Sequence, residues 1–348
     1  MPSLLLTIDV EDWFQVENLR PWIPFSTWDS RELRVEANVH KLLDLFDSVK
    51  SVAGGRELEA QSLKLEGWHS PESSFDPTDP IDSTPPPTSH LQPPAVKKVR
   101  CTFFILGWLA ERLPHLVREI ASRGHEVASH GQSHRMCNGL AESDLRNEIG
   151  DSKHLLEDIT GTEVAGFRAP NFSVDDRVLS VLQETGYRYD SSYNSFSLHG
   201  RYGKISLNGT QCGIAHKLTG EFFELPLSNL PLSTLATLGT RNFSHSNSDT
   251  LAHFRHFPLP WGGGAYFRLM PFSIFAMGVR FILKKEGAYI FYMHPWEIDA
   301  KQPKVEQASL FARFKHYRNI ETAEAKLKKM IERFVECRFI SCREYLIG

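Results

Sequence analysis

The sequence predicts an α/β fold, a distorted or incomplete (β/α) barrel interrupted by a disordered, Pro-rich insertion. Three observations lead there. Short β-rich runs alternate with amphipathic helical runs, the signature of parallel strands with covering helices. Only six or seven strand candidates occur, short of the eight of a complete barrel. Polar and titratable residues gather at the carboxyl ends of the predicted strands, where parallel α/β architectures assemble their sites, which favours a barrel over an open doubly wound sheet.

In order, residues Leu4 to Ile8 form an unbroken apolar strand, and Val35 to Val49 a helix with Val39, Leu42, Leu43 and Phe46 on one face. Val99 to Leu106 is strand, Leu109 to Ala121 helix, and Glu126 to Ser129 strand. Ser143 to Ile159 reads as a helix ended by Gly161, whose missing Cβ suits a left-handed cap. Strand follows near Gly166 to Arg168, helix over Val178 to Thr185, and strands at Tyr187 to Asp190 and Phe222 to Pro226. Helix Phe272 to Lys284 leads into strand Ala288 to Met293. A final amphipathic helix, Thr322 to Val335, carries Leu327, Met330, Ile331 and Phe334 on one face and reads as packing.

The segment 51–98 breaks the pattern. Eight of the chain's 20 prolines fall between Pro71 and Pro94, which removes backbone donors and forbids helix interiors. Removing its 48 residues from 348 leaves 300, about one barrel-sized domain built from residues 1–50 and 99–348.

Composition excludes several functions. With 39 Lys+Arg against 42 Asp+Glu the formal charge is −3, so the chain as a whole has no general attraction to nucleic acid. No apolar run approaches the roughly 20 residues of a bilayer span. The opening residues lack a basic leader and a small-residue cleavage site, so cytoplasmic residence is expected. Five cysteines without C-x-x-C spacing read as free thiols, Cys137 near His134 included.

Four groups carry candidate chemistry. Asp9 and Glu11, two apart after the first strand, share a face, and Asp12 reaches the same site only if the strand has ended. His130 and His134, four apart around Gly131, can converge on one cation, and an acidic third ligand would leave a position open for water and substrate. Two capping histidines are the bland alternative. Arg168, at a strand end before Ala169-Pro170-Asn171-Phe172, can hold a carboxylate ionised by direct contact. Asp190 and His294 form the fourth group, in which an Asp hydrogen-bonded to one imidazole nitrogen lets the other deliver a proton. Trp13 and Trp296 beside the motifs, with Phe172 and Tyr266, offer flat faces for a pyranose, core packing being the alternative. The run Trp261-Gly-Gly-Gly-Ala-Tyr266 lacks the Lys-Ser/Thr of a phosphate loop.

Five motifs stand in one order: Thr7-Ile-Asp-Val-Glu-Asp12, His130-Gly-Gln-Ser-His134, Arg168-Ala-Pro-Asn171, Asp190-Ser-Ser192 and Met293-His294. The chain outside the insertion resembles the polysaccharide deacetylase superfamily, the chitooligosaccharide deacetylase (NodB) homology domain of carbohydrate esterase family four. It is most similar to an exopolysaccharide-locus branch that opens with Asp-Val-Glu-Asp-Trp-Phe and carries His-Pro-Trp-Glu-Ile-Asp. The resemblance implies hydrolysis of acetyl groups on N-acetylated sugars by an enzyme holding one divalent cation, most simply Zn2+. It implies Asp9 as base, His130 and His134 as ligands with Glu11 or Asp12, and Arg168 holding Asp9. Asp190 would pair with His294, the acid, and the backbone N–H of Asn171 would meet the oxyanion. Two departures are visible. Val10 stands where many relatives have a second aspartate, moving the carboxylate ligand to Glu11 on strand parity or to Asp12. Asn171 replaces a common aromatic. The expected partner is a carbohydrate substrate, with room for association with a polysaccharide biosynthesis complex. The alternatives are an amidohydrolase of the same fold acting on a small cyclic amide, a non-catalytic saccharide-binding relative, and an interaction protein working through the Pro-rich segment.

Overall fold

Residues 1–52, 96–196, 202–234 and 258–347 are described by the structure, a computed structural model. Along the chain the strands are β1 (Ser3–Val10), β2 (Lys50–Val52), β3 (Val96–Lys98), β4 (Cys101–Ile105), β5 (Glu126–Ser129), β6 (Gly166–Phe167), β7 (Tyr189–Asp190), β8 (Thr210–Cys212), β9 (Ala215–Thr219), β10 (Phe222–Glu224), β11 (Asn229–Pro231), β12 (Pro258–Pro260), β13 (Ala288–Met293) and β14 (Arg338–Phe339). The principal sheet runs β13-β1-β4-β5-β6-β7-β10-β9-β8, with β14 added beside β1. From β13 to β10 every neighbouring pair is parallel, and β9 and β8 then continue antiparallel.

The seven strands from β13 to β10 make a barrel short of closure. The gap between β10 and β13 is crossed by single hydrogen bonds. Ser228 Oγ accepts from the N–H of Ile290 (2.9 Å), Ser228 O accepts from Gly262 (2.8 Å), and Gly262 O accepts from Tyr292 (2.7 Å). This is the distorted barrel the strand count predicts.

Strand β1 is buried along its whole length, as a parallel strand covered on both faces must be. Its side chains alternate between two cores. Leu4, Leu6, Ile8 and Val10 join Phe103, Phe291 and the helices, while Leu5 joins Phe104, Tyr189 and Ile290 on the other face. Thr7 and Asp9 follow Leu5 in parity.

The helices at the barrel wall are α1 (Val35–Ser48), α2 (Gly107–Arg112), α3 (Pro114–Ser122), α4 (Glu142–Thr160), α5 (Asp176–Glu184), α6 (Gly264–Leu269), α7 (Phe272–Glu286), α8 (Leu310–Tyr317) and α9 (Ala323–Arg333). One expectation fails here. The helix predicted over Leu109 to Ala121 is two, α2 and α3, because Pro114 has no N–H to continue the first and starts the second as its N1 residue. Gly161 ends α4 in the left-handed conformation (φ 68), as expected. Strands β2 and β3 pair antiparallel at the two ends of the Pro-rich segment, so the chain leaves and returns side by side. The expectation of disorder over 51–98 fails at both ends, where residues 51–52 and 96–98 are strand, and residues 53–95 lie outside the described residues.

Candidate active site

Strand parity puts Asp9 and Glu11 at the carboxyl end of β1. Beside it in the sheet stands β4 and then β5, and β5 runs on into the loop that brings His130 and His134. The N–H of His130 donates to Ile105 O at 2.9 Å, and Gly131 then turns the chain with φ 78. The carboxylate of Glu148 in α4 accepts from the N–H and the hydroxyl of Ser133, at 2.5 and 2.7 Å, and pins this loop. His134 itself takes the left-handed conformation (φ 58), a sparsely populated choice that aims its ring inward.

Glu11 Oε1 lies 3.1 Å from His130 Nε2 and 3.0 Å from His134 Nε2, all three residues being buried. Their ligating atoms fall within 4.8 Å of one another, the one such cluster among the described residues. His130 Nδ1 is 2.8 Å from Arg168 O, an acceptor only, so that nitrogen donates to the backbone and Nε2 is the one turned toward Glu11. Burial would raise the Glu11 carboxyl, yet the imidazoles of His134 and His294, with hydrogen bonds from His130 and His134, hold it well below the usual range. Burial likewise disfavours a charged His134, and the Glu11 carboxylate overrides it to raise that imidazole. Two imidazole nitrogens and one ionised oxygen converging on a single point fit a divalent cation, which would take the place of the imidazole protons there.

Asp9 is held differently. Arg168 Nη1 donates to Asp9 Oδ1 and to Thr7 Oγ1, both at 2.7 Å, while its Nε and Nη2 donate to Ser191 O and Oγ at 2.9 Å. The guanidinium lies 4.1 Å from the Phe104 ring centroid and is fully buried. An arginine so completely bonded is a fixed charge, which keeps the Asp9 carboxylate oriented.

Asp9, Glu11, His130 and His294 line one cavity of about 120 Å³, together with Asn171, Phe172 and Trp296. Asn171 and Phe172 both have positive φ (54 and 57), so the Arg168-Ala-Pro motif ends in a tight turn over the cavity. The Trp296 ring stacks on His294 on one side (5.2 Å between centroids) and on His316 on the other (4.3 Å).

Four expectations need correction. Asp190 does not meet His294. It accepts from the hydroxyl and N–H of Ser192 (2.6 and 3.1 Å) and stands beside Glu224, its register partner on β10. Burial raises both carboxyls, Glu224 well above the ordinary carboxylate range. The partner of His294 is Glu297, whose Oε1 lies 2.9 Å from Nδ1. Burial opposes the charged form, but the Glu11 and Glu297 carboxylates raise His294 to about 9. Glu297, despite burial, is lowered to about 2 by Arg268 and His294. Arg268 Nε donates to Glu297 Oε2 at 2.6 Å.

Asp12 does not join the Glu11, His130 and His134 cluster. Its carboxylate accepts from the N–H groups of Trp13 (2.8 Å), Arg34 (2.6 Å) and Val35 (2.8 Å), closing the loop onto the start of α1. Trp13 turns into the core, edge-on to Phe14, with Nε1 donating to Glu32 O. Tyr266 stays off the cavity, because Ala265 and Arg268 present the inward face of α6. Glu297 and Arg268 escaped the sequence reading. The first had a signal in its place three residues after His294, the spacing of a capping box. Arg268, on another element, had none.

Comparison with known proteins gives the site a context. Residues 95–189 match the family model described as polysaccharide deacetylase, and residues 248–347 match a domain of unknown function (DUF3473). The first segment holds His130, His134 and Arg168, the second His294, Glu297 and Arg268, and the sheet joins both through β1. Over 91 residues the chain is 32% identical to a peptidoglycan-N-acetylglucosamine deacetylase of Bacillus cereus, a stretch covering 26% of this chain and 42% of that protein. Over 93 residues it is 33% identical to a peptidoglycan deacetylase-like protein of Gibberella zeae, covering 27% of this chain and 28% of that one. The aligned stretch is thus less than half the length of either relative. A Mycobacterium smegmatis crystal structure described as a polysaccharide deacetylase superposes with a TM-score of 0.49 at 17% identity, over 97% of this chain and 85% of that one.

Proposed function

The chain carries a polysaccharide deacetylase domain over residues 95–189, and from that premise we propose that its barrel is a metal-dependent hydrolase removing acetyl groups from N-acetylated units of a poly- or oligosaccharide. The observation that carries this reading is the convergence, on one cavity, of an Arg-held carboxylate, a Glu-His-His cluster and a Glu-held imidazole. Binding alone needs no acid and base together.

Glu11, His130 and His134 would hold a divalent cation, Zn2+ being the best match to these donors, and its Lewis acidity would be available to the acetyl carbonyl and the attacking water. Asp9, fixed by Arg168, takes the proton of that water. His294 gives a proton from Nε2 to the departing amine, its Nδ1 being engaged by Glu297. The N–H of Asn171, on the turn over the cavity, is assigned to the acyl oxygen as the carbonyl becomes tetrahedral. Phe172 and Trp296 offer their faces to the sugar ring. The Asp9-Val-Glu-Asp12 and His294-Pro-Trp-Glu297 motifs support a place in exopolysaccharide biosynthesis.

Acetate release from N-acetylated oligosaccharides tests the reading, with ring-opening of cyclic amides assayed alongside. Folded Asp9→Asn and His130→Ala proteins should lose at least about 10²-fold in kcat/KM. Full activity in either refutes the assignment, and turnover of cyclic amides alone would make the chain an amidohydrolase of another substrate class.

A further inference from the structure

Helix α8 buries Ala312 and His316, one turn apart, and turns a different face outward. On that face Leu310 is 83% exposed, Phe311 76% and Phe314 55%. Single exposed apolar residues are ordinary; three large ones on eight residues, at positions i, i+1 and i+4, form a continuous exposed strip. The strip has no hydrogen-bonding group to offer a sugar. Its surroundings are cationic. Residues 300–318 hold Lys301, Lys304, Arg313, Lys315 and Arg318 against Glu306 alone, a net +4 in a chain whose total is −3. Lys301, Lys304 and Arg318 are exposed, and the Arg318 guanidinium lies 5.9 Å from the Phe314 ring centroid. Long basic side chains flanking a short apolar strip can lay their stems along it while their charges reach an anionic plane.

We propose that this face of α8 docks on the surface of a bilayer containing anionic lipids, the phenyl rings entering the headgroup boundary and the lysines and arginines pairing with phosphates. Lys315 and His316 of the same helix line the cavity, so docking brings it within about one helix diameter, roughly 10–12 Å, of the lipid. A saccharide tethered to the membrane would then be presented at the site. The binding claim stands without the catalytic reading, because its test measures partition alone.

Flotation of the full chain with phosphatidylcholine vesicles, with and without phosphatidylglycerol, is the experiment. The wild type should float with the mixed vesicles at low salt, stay behind with phosphatidylcholine alone, and release as salt is raised. Phe311→Ser with Phe314→Ser should lower partition at least about tenfold, and Arg313→Gln with Arg318→Gln about tenfold, with circular dichroism unchanged. The proposal is overturned if the wild type ignores mixed vesicles or if the folded double Ser variant floats as well as wild type. It is equally overturned if the wild type is a dimer that the Ser variant splits and neither form floats, the strip then being a contact between copies of this chain.

Discussion

Glu297 Oε1 lies 2.9 Å from His294 Nδ1, while Asp190 spends its carboxylate on Ser192 and stands beside Glu224 on the next strand. The group that orients the imidazole therefore comes from the next turn of the same segment, and Arg268 anchors it from α6 at 2.6 Å. Glu297→Gln should lower kcat/KM by about 10²-fold, whereas Asp190→Asn should remain within about tenfold of wild type. Steady-state kinetics on both, with thermal denaturation to verify folding, decide the matter. Equal losses would return Asp190 to the role the sequence suggested.

Asp12 closes a loop rather than a coordination sphere. Burial raises its carboxyl to about 6 even though three N–H groups favour the ionised form. Asp12→Ala leaves the N–H groups of Arg34 and Val35 without their acceptor and should destabilise the fold by about 1–3 kcal/mol. Metal stoichiometry should be untouched. Urea unfolding together with metal analysis checks both halves, and loss of the cation in a folded Asp12→Ala protein would reinstate Asp12 as a ligand.

Cation binding should show in stability. A ligand held by the folded state alone, at 100 times its Kd, stabilises by about 2.7 kcal/mol. Thermal scans should therefore give a higher Tm with Zn2+ than with a chelator, and the difference should vanish in Glu11→Ala. A difference that persists in Glu11→Ala would place the cation elsewhere.

His125 gives a pH signature away from the cavity. Buried between Phe46 and Phe103, it accepts the N–H of Cys101 through Nδ1 at 3.2 Å, and burial lowers its imidazole to about 4. The unfolded chain binds a proton there near pH 6.5 and the folded chain near 4. Between those values the unfolded state carries more protons, so stability rises with pH, is fully present above about 6.5, and is lost on acidification by about 2–3 kcal/mol. Urea titrations of wild type and His125→Gln across this window should differ in slope. Parallel slopes would mean that the ring is protonated in the folded protein.

The sequence by itself determined the parts that depend on period and order. Alternation along β1 put Asp9 and Glu11 on one face with Val10 packed away, and the four-residue spacing around Gly131 was enough for His130 and His134 to converge. The strand count anticipated a barrel that does not close. Tertiary structure alone decided the partnerships. Asp12, Asp190 and Glu297 are all acids next to a strand end, and nothing in their own sequence says which will face the cavity, meet the start of a helix or accept from a neighbouring serine. That depends on where Arg34, Glu224 and Arg268 arrive from distant elements, because a buried carboxylate is oriented by the donors that meet it across space.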